Sequence, residues 1–312
     1  MTRPEAAMDD VRNADAPGPT GAAGAQPDPA PKAAAGPAAE APPATDGPEP
    51  PDDVLHRLEN GVSWITLNRP AALNALTWDQ RERIMALLAE ASADPSVRAV
   101  VVTATGKGFC AGADLRGGPA AAGDRVVGDV ARLIRQGAQR FVTAVMDCEK
   151  PVIAAVNGTA AGIGAHLALA CDLVLAAESA KFIEVFVRRG LVPDGAGAYL
   201  LPRLVGPQRA KELMFFGDAL PAADALRLGL VNRVVPDADL AGLARTWAER
   251  LAQGPTRALA LTKALVNASL DTDRATALAA EAVAQELNMT TADATEGVAS
   301  FKERRTPKYR GL

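Results

Sequence analysis

The sequence predicts an α/β fold, and three observations carry the prediction. Strand-like and helix-like apolar patterns alternate from Val54 onward. A Gly-rich loop joins the β-rich run Val152 to Val156 to an Ala/Leu segment that reads as a buried helix. The chain has 312 residues, 48% of them apolar, enough for one large domain or two small ones with a sizeable core.

Residues 1 to about 52 are a separate regime. They hold 12 of the 23 prolines, and their only larger apolar side chains are Met1, Met8 and Val11. Such a segment cannot bury enough surface to offset its ordering entropy, so a disordered Ala/Pro-rich tail is expected. It lacks the basic start and apolar run of a secretory signal. Order begins near Asp53. Val54 to Leu58 and Val62 to Leu67 flank Glu59-Asn60-Gly61, a hairpin signal. Thr77-Trp78-Asp79-Gln80 has capping-box spacing. The helix it opens has Ile84, Leu87, Leu88 and Ala91 on its apolar face and ends at Asp94-Pro95. Arg98 to Ala104 is the next strand.

Gly117 to Asp124 reads as a mobile loop, and Val126 to Cys148 as a helix closed by Pro151. Asp172 to Ala176 is a further strand after the buried helix. Phe182 to Arg189 leads into Gly190-Leu191-Val192-Pro193-Asp194. Beyond it the pattern is helical over Ala198 to Val205, Gln208 to Phe216, Ala222 to Leu228, Ala238 to Gln253 and Thr256 to Ala268. One long helix is predicted over Arg274 to Phe301, and Leu230 to Val235 is a short strand. The expected organisation is a tail (1–52), an α/β core (53–253) and a C-terminal helical region (254–312).

A formal net charge of −4 gives no support for a nucleic-acid partner. No window approaches the 18 apolar residues of a membrane span. Cys110, Cys148 and Cys171 are an odd set without CxxC spacing, which fits a reduced, cytoplasmic setting better than a disulfide framework. No second histidine or acidic cluster stands at metal-ligand spacing.

Two stretches carry the chemistry. Val156-Asn157-Gly158-Thr159-Ala160-Ala161-Gly162-Ile163-Gly164-Ala165-His166 turns sharply through glycines into a helix, aiming free N–H groups at one point. Such a point can stabilise a developing oxyanion. The strand Arg98 to Ala104 runs into Thr105-Gly106-Lys107-Gly108-Phe109-Cys110-Ala111-Gly112-Ala113-Asp114-Leu115. Together with Asn68-Arg69-Pro70-Ala71-Ala72-Leu73-Asn74-Ala75-Leu76 and Gly190-Leu191-Val192-Pro193-Asp194-Gly195, they resemble the crotonase (enoyl-CoA hydratase/isomerase) superfamily from about Val54 to the C-terminus. Four ordered motifs make the resemblance specific where one Gly-rich loop would not.

The resemblance implies a crotonase-like spiral of ββα units, with C-terminal helices that join subunits into a homotrimer or a dimer of trimers. It implies an acyl-CoA thioester substrate, with coenzyme A as part of the substrate and no other cofactor. By position in the family motifs, the N–H groups of Ala113 and Ile163 would hold the thioester oxygen as it becomes an enolate. Ile163 stands where many relatives have glycine; the backbone donor survives, and the side chain narrows the pocket. Leu73, Ala75, Ala111, Gly112, Leu115 and Phe186 are expected along the coenzyme A path, largely through backbone. Asp114 is expected to cap the segment after it or to face the coenzyme.

The acid and base depart from the hydratase pattern. The two hydratase glutamates would fall at His166 and Phe186, and neither is a carboxylate. A third family position, eight residues further on, is Asp194. Isomerases of the superfamily use a carboxylate there. One carboxylate suffices to move a proton along an acyl chain, provided an apolar pocket of Val185, Phe186, Val192 and Ile163 raises its pKa. The plainer reading is that Asp194 caps the Gly195 turn. His166 is either a core histidine with a hydrogen-bond partner or a neighbour of the thioester that orients Asp194 or a water. Cys110 reads as small-core packing and His56 as structural.

Double-bond isomerisation of an enoyl-CoA is therefore expected ahead of hydration by His166 and Asp194. A non-catalytic acyl-CoA binder on the same scaffold is the remaining alternative. A serine protease of the Clp-type fold is excluded, because the loop from Gly162 to Ala165 has no serine.

Overall fold

The computed structural model describes residues 52–117 and 127–312. The expected tail, Asp52 apart, and residues 118–124 of the expected mobile loop lie outside them.

Strands β1 (Val54–Glu59) and β2 (Val62–Leu67) form the expected hairpin, in register from Val54↔Leu67 to Glu59↔Val62. Asn60 and Gly61 both take positive φ, as a tight primed turn requires. Helix α1 (Trp78–Ala93) opens on the capping box. Thr77 Oγ1 accepts the Gln80 N–H, and Gln80 Oε1 accepts the Thr77 N–H. Its expected apolar face, Ile84, Leu87, Leu88 and Ala91, is buried.

From there the chain crosses repeatedly between two sheets. Strand β3 (Ala99–Ala104) is followed by the short β4 (Gly108–Cys110). Helices α2 (Asp129–Ile134) and α3 (Arg140–Met146) come next, joined by a π-helical turn at Arg135–Gln139. Strand β5 (Val152–Val156) is followed by β6 (Thr159–Ala161) and α4 (Ile163–Ala170). Strand β7 (Leu173–Ala177) is followed by β8 (Lys181–Ile183) and a 3₁₀ turn at Val185–Arg189. Helices α5 (Gly197–Val205) and α6 (Pro207–Phe216), strand β9 (Ala219–Pro221), helix α7 (Ala222–Arg227) and strand β10 (Arg233–Val235) complete the sheets.

The large sheet has the order β1-β2-β3-β5-β7-β10 and is parallel from β2 onward. The small one has the order β4-β6-β8-β9, with β4, β6 and β8 parallel. Each turn of the spiral thus lays one strand in the large sheet and the next in the small one. Helix α8 (Leu240–Ala252) covers one face of the large sheet through Leu240, Ala244, Ala248 and Ala252, all buried and four residues apart.

Helices α9 (Thr256–Ser269), α10 (Arg274–Met289) and α11 (Ala292–Glu303) follow. Arg98, at the mouth of β3, holds this region by bonds to Thr256 Oγ1, the Gly254 carbonyl and the Tyr309 carbonyl. Lys263 on α9 reaches Asp172 at 2.9 Å. Two expectations are corrected. The single helix over Arg274 to Phe301 is broken, because Thr291 turns out as an N-cap and accepts the Ala294 N–H at 3.1 Å. The buried Asp293 then fixes the new direction by accepting the N–H groups of Arg310 and Gly311. The short strands of the small sheet are the second departure: three residues are too few to show alternation. No helix among the described residues is long and apolar enough to cross a membrane.

Candidate active site

Strands β4 and β6 run side by side and release the chain into one cavity of about 130 Å³. Beyond β4, the Leu76 N–H donates to the Gly112 carbonyl and the Asp114 N–H to the Leu76 carbonyl, at 2.8 and 2.9 Å. This parallel bridge centres on Ala113 and leaves its own N–H on the opposite side, without a partner among the described residues. Gly112 sits at φ +106°, where a Cβ would come within 3.1 Å of the Ala161 carbonyl oxygen.

Beyond β6, Gly162 turns the chain at φ 53° and ψ −127°, a conformation that suits glycine alone. Helix α4 starts at the next residue, so the Ile163 N–H lies in a first turn with no carbonyl four residues behind it. Ala113 and Ile163 line the same cavity, at successive turns of the spiral.

Asp194 lines the cavity from a third direction and is the only carboxylate on its wall among the described residues. Among the described residues its side chain makes no hydrogen bond or ion pair. The turn that follows is closed by backbone, from the Gly197 N–H to the Asp194 carbonyl at 3.2 Å, so the side chain caps nothing. Burial raises its carboxyl above the ordinary aspartate range, while His166 and Arg81 pull it partly back. Ile163, Val185 and Phe186 form the expected apolar surround. Val192 does not: it is 82% exposed, and its neighbour Leu191 turns onto the wall instead.

His166 is fully buried one turn into α4, off the cavity wall. The Phe186 ring stacks on its imidazole, centroids 5.4 Å apart. Its Nε2 lies 3.1 and 3.2 Å from the carboxylate oxygens of Glu184, which is itself buried. Its Nδ1 has no partner among the described residues. His166 is thus buried with a hydrogen-bond partner, and Phe186, which stacks on it, lines the cavity.

Sequence reasoning missed Glu184. The available signal was a lone acid among Phe182, Ile183, Val185 and Phe186. It also missed Arg81 of α1, which is half-buried on the wall beside Asp194.

The remaining expected site residues surround the mouth. Ala111, Gly112, Leu115 and Phe186 line the cavity, and Leu73 and Leu115 are more than half exposed. The Ala75 carbonyl accepts Arg69 Nη1 at 2.8 Å. Asp114 accepts the Arg116 N–H and both guanidinium groups of Arg69 and Arg116. The Arg116 contacts hold its carboxyl well below the usual carboxylate range, so it is a committed cap and no proton carrier. Asn74 is buried and ties the loops together, donating to the carbonyls of Thr105 and Gly108 and accepting the Arg69 N–H. Cys110 is buried, which pushes its thiol up to about 12. His56 bonds Ser63 Oγ at 3.0 Å. No group of three or more His, Cys, Asp or Glu residues that could hold a metal occurs among the described residues.

Comparison with known proteins bears on this geometry. The family model described as enoyl-CoA hydratase/isomerase matches residues 57–311. The 1,2-epoxyphenylacetyl-CoA isomerase of Escherichia coli is 38% identical over 264 residues, covering 83% of this chain and 98% of that protein. The crotonyl-CoA hydratase of Syntrophomonas wolfei is 36% identical over 259 residues, with the same coverage. A crystal structure of an enoyl-CoA hydratase from Bacillus anthracis superposes with a TM-score of 0.77 at 35% identity, covering 83% of this chain and all of that one. A match over most of the chain, on a fold of two interleaved sheets with paired loops meeting at one cavity, makes the chain an enzyme of the enoyl-CoA hydratase/isomerase family, within the crotonase superfamily.

Proposed function

We propose that the protein is an enoyl-CoA isomerase that shifts a double bond along the acyl chain of a coenzyme A thioester. In this reading the N–H groups of Ala113 and Ile163 hold the thioester oxygen. Asp194, ionised, takes a proton from C2 of a 3-enoyl-CoA. The electron pair moves into a dienolate whose oxygen charge the two donors share. Asp194 then returns the same proton to C4, and the conjugated 2-enoyl-CoA is released. Atoms and charge balance with one carboxylate and no water.

The observation that carries this reading is that, among the described residues, Asp194 is the one carboxylate on the wall that Ala113 and Ile163 share. Its raised pKa suits a group that must both take and return a proton. Hydration asks for a second proton carrier, and His166 is buried, is not among the residues lining the cavity and has its Nε2 engaged by Glu184. The relatives' names support either reaction. A 3-enoyl-CoA and crotonyl-CoA, followed by the absorbance of the conjugated thioester, separate them. Isomerisation creates the signal and hydration consumes it. Asp194→Asn is expected to lower isomerisation by ~10²–10⁴-fold; an unchanged rate overturns the assignment. Binding of both thioesters without turnover would make the protein an acyl-CoA binder.

The same reading extends to assembly. Helix α10 has no buried residue in the isolated chain, and Leu278, Val283, Leu287 and Met289 are each 46 to 67% exposed. With Val266 and Leu270 of α9 they are exposed apolar side chains that self-association as a trimer or a dimer of trimers would cover.

A further inference from the structure

Arg81 is a costly residue where it stands. It projects from the first turn of α1 into a cavity whose wall is otherwise small and apolar side chains apart from Arg189 and Asp194. Its guanidinium stacks on the Trp78 ring, 5.1 Å from the centroid, and its Nε donates to the Thr77 carbonyl at 3.3 Å. Neither terminal nitrogen has a hydrogen-bond or ion-pair partner among the described residues. Burial pulls its pKa down, and Asp194 only partly offsets this. The π-helical turn before α3 makes room for it: a Cβ at Gly137 would meet Trp78 at 2.8 Å, so only glycine lets the ring and the guanidinium lie there. Turns of this kind concentrate at functional sites.

The charge on the wall points the same way. Among the described residues it carries two guanidinium groups, Arg81 and the exposed Arg189, against the single carboxylate of Asp194. In the proposed reaction that carboxylate becomes neutral each time it takes the proton. Arg81 is then a half-buried cation whose two terminal nitrogens have no partner among the described residues, with Glu82 the remaining carboxylate that acts on it from a distance. A planar fork of this kind matches a carboxylate with two parallel hydrogen bonds.

We propose that Arg81 forms an anion subsite in the acyl pocket, so that the preferred substrates are acyl-CoA thioesters whose chain carries a second, distal carboxylate. This rests on the acyl-CoA reading of the cavity and extends it to the substrate class. The carboxylate would lie across the Arg81 fork, anchoring the far end of the chain while the two donor loops anchor the thioester. The reacting carbons would then be held between two fixed points, under Asp194.

Saturated thioesters test this without turnover. Butyryl-, pentanoyl- and hexanoyl-CoA are compared by titration calorimetry with succinyl-, glutaryl- and adipoyl-CoA, pair by pair. For at least one length the carboxylated member is expected to bind at least tenfold tighter. Arg81→Met is expected to bring that ratio below about twofold while leaving the methyl-ended partner's affinity within about twofold. Arg81→Gln serves as a second variant with a shorter, neutral polar chain. Equal binding within every wild-type pair overturns the subsite. So does a preference that survives both variants, or a loss common to both members, which would reduce Arg81 to a support for Asp194. Failure of both series to bind at all overturns the acyl-CoA reading beneath it, and failure of the carboxylated series alone overturns the subsite. A silent Asp194→Asn result touches only the base assignment, because no chemistry enters these measurements.

Discussion

At the scale of single residues, Asp194 is a carboxylate without a hydrogen-bond partner among the described residues, and Glu184 is one paired with His166. Burial raises the Asp194 carboxyl, so the folded protein binds that proton more tightly than the unfolded chain does. Its ionised form therefore opposes folding above the raised pKa, and the cost vanishes as pH falls below the ordinary aspartate range. Asp194→Asn is expected to raise Tm by about 1–2 °C near neutrality and above, and to change nothing in acid, by calorimetry across pH. If Asp194 is the base, kcat/KM should fall in acid with an apparent pKa above about 3.9, the unperturbed aspartate value. Glu184 sits where no water reaches its partner. Glu184→Ala strands a fully buried imidazole and is expected to cost about 2–3 kcal/mol in urea titrations, with Glu184→Gln recovering most of it.

Elements are legible in the sequence where a local rule fixes them. Asn60-Gly61 fixes one turn and the Thr77/Gln80 box fixes the start of α1, because each is settled within four residues. Thr77→Ala is expected to cost about 1 kcal/mol of stability, measured by thermal or urea unfolding. The same reasoning fails where partners are distant. Glu184 meets His166 across 18 positions and two elements, so a reader of either segment sees a stray acid or a stray histidine. Arg81 reads as an ordinary solvated helix residue until Gly137 and Asp194 are brought beside it. Thr290-Thr291 contains neither glycine nor proline, and the helical period runs through it undisturbed; the break depends on Asp293 meeting the C-terminal backbone. Asn74 holds one donor loop through contacts as far away as Thr105 and Gly108. Asn74→Ala is expected to cost about 2–3 kcal/mol and to lower kcat as well, since the loop bearing Ala113 loosens.

For the whole molecule, the four motifs made the spiral readable because backbone-dictated loops keep their sequence pattern. What they could not reveal is the content of the acyl pocket, whose wall draws on α1, the π turn and the segment after β8. Self-association through α9 and α10 is expected to give three or six times the monomer mass in sedimentation. Leu278→Glu with Val283→Glu should shift it toward monomer.

Strands β4, β6 and β8 are parallel neighbours, and each surrenders the chain to the cavity from the same end. In the proposed reaction the first two crossings act through main-chain N–H groups, which substitutions other than proline leave in place. The third brings Asp194, the proposed base, to the wall. Such a scaffold separates inheritance from invention: a lineage can rewrite the last crossing and acquire new reactivity while the main-chain geometry of the first two passes on unaltered.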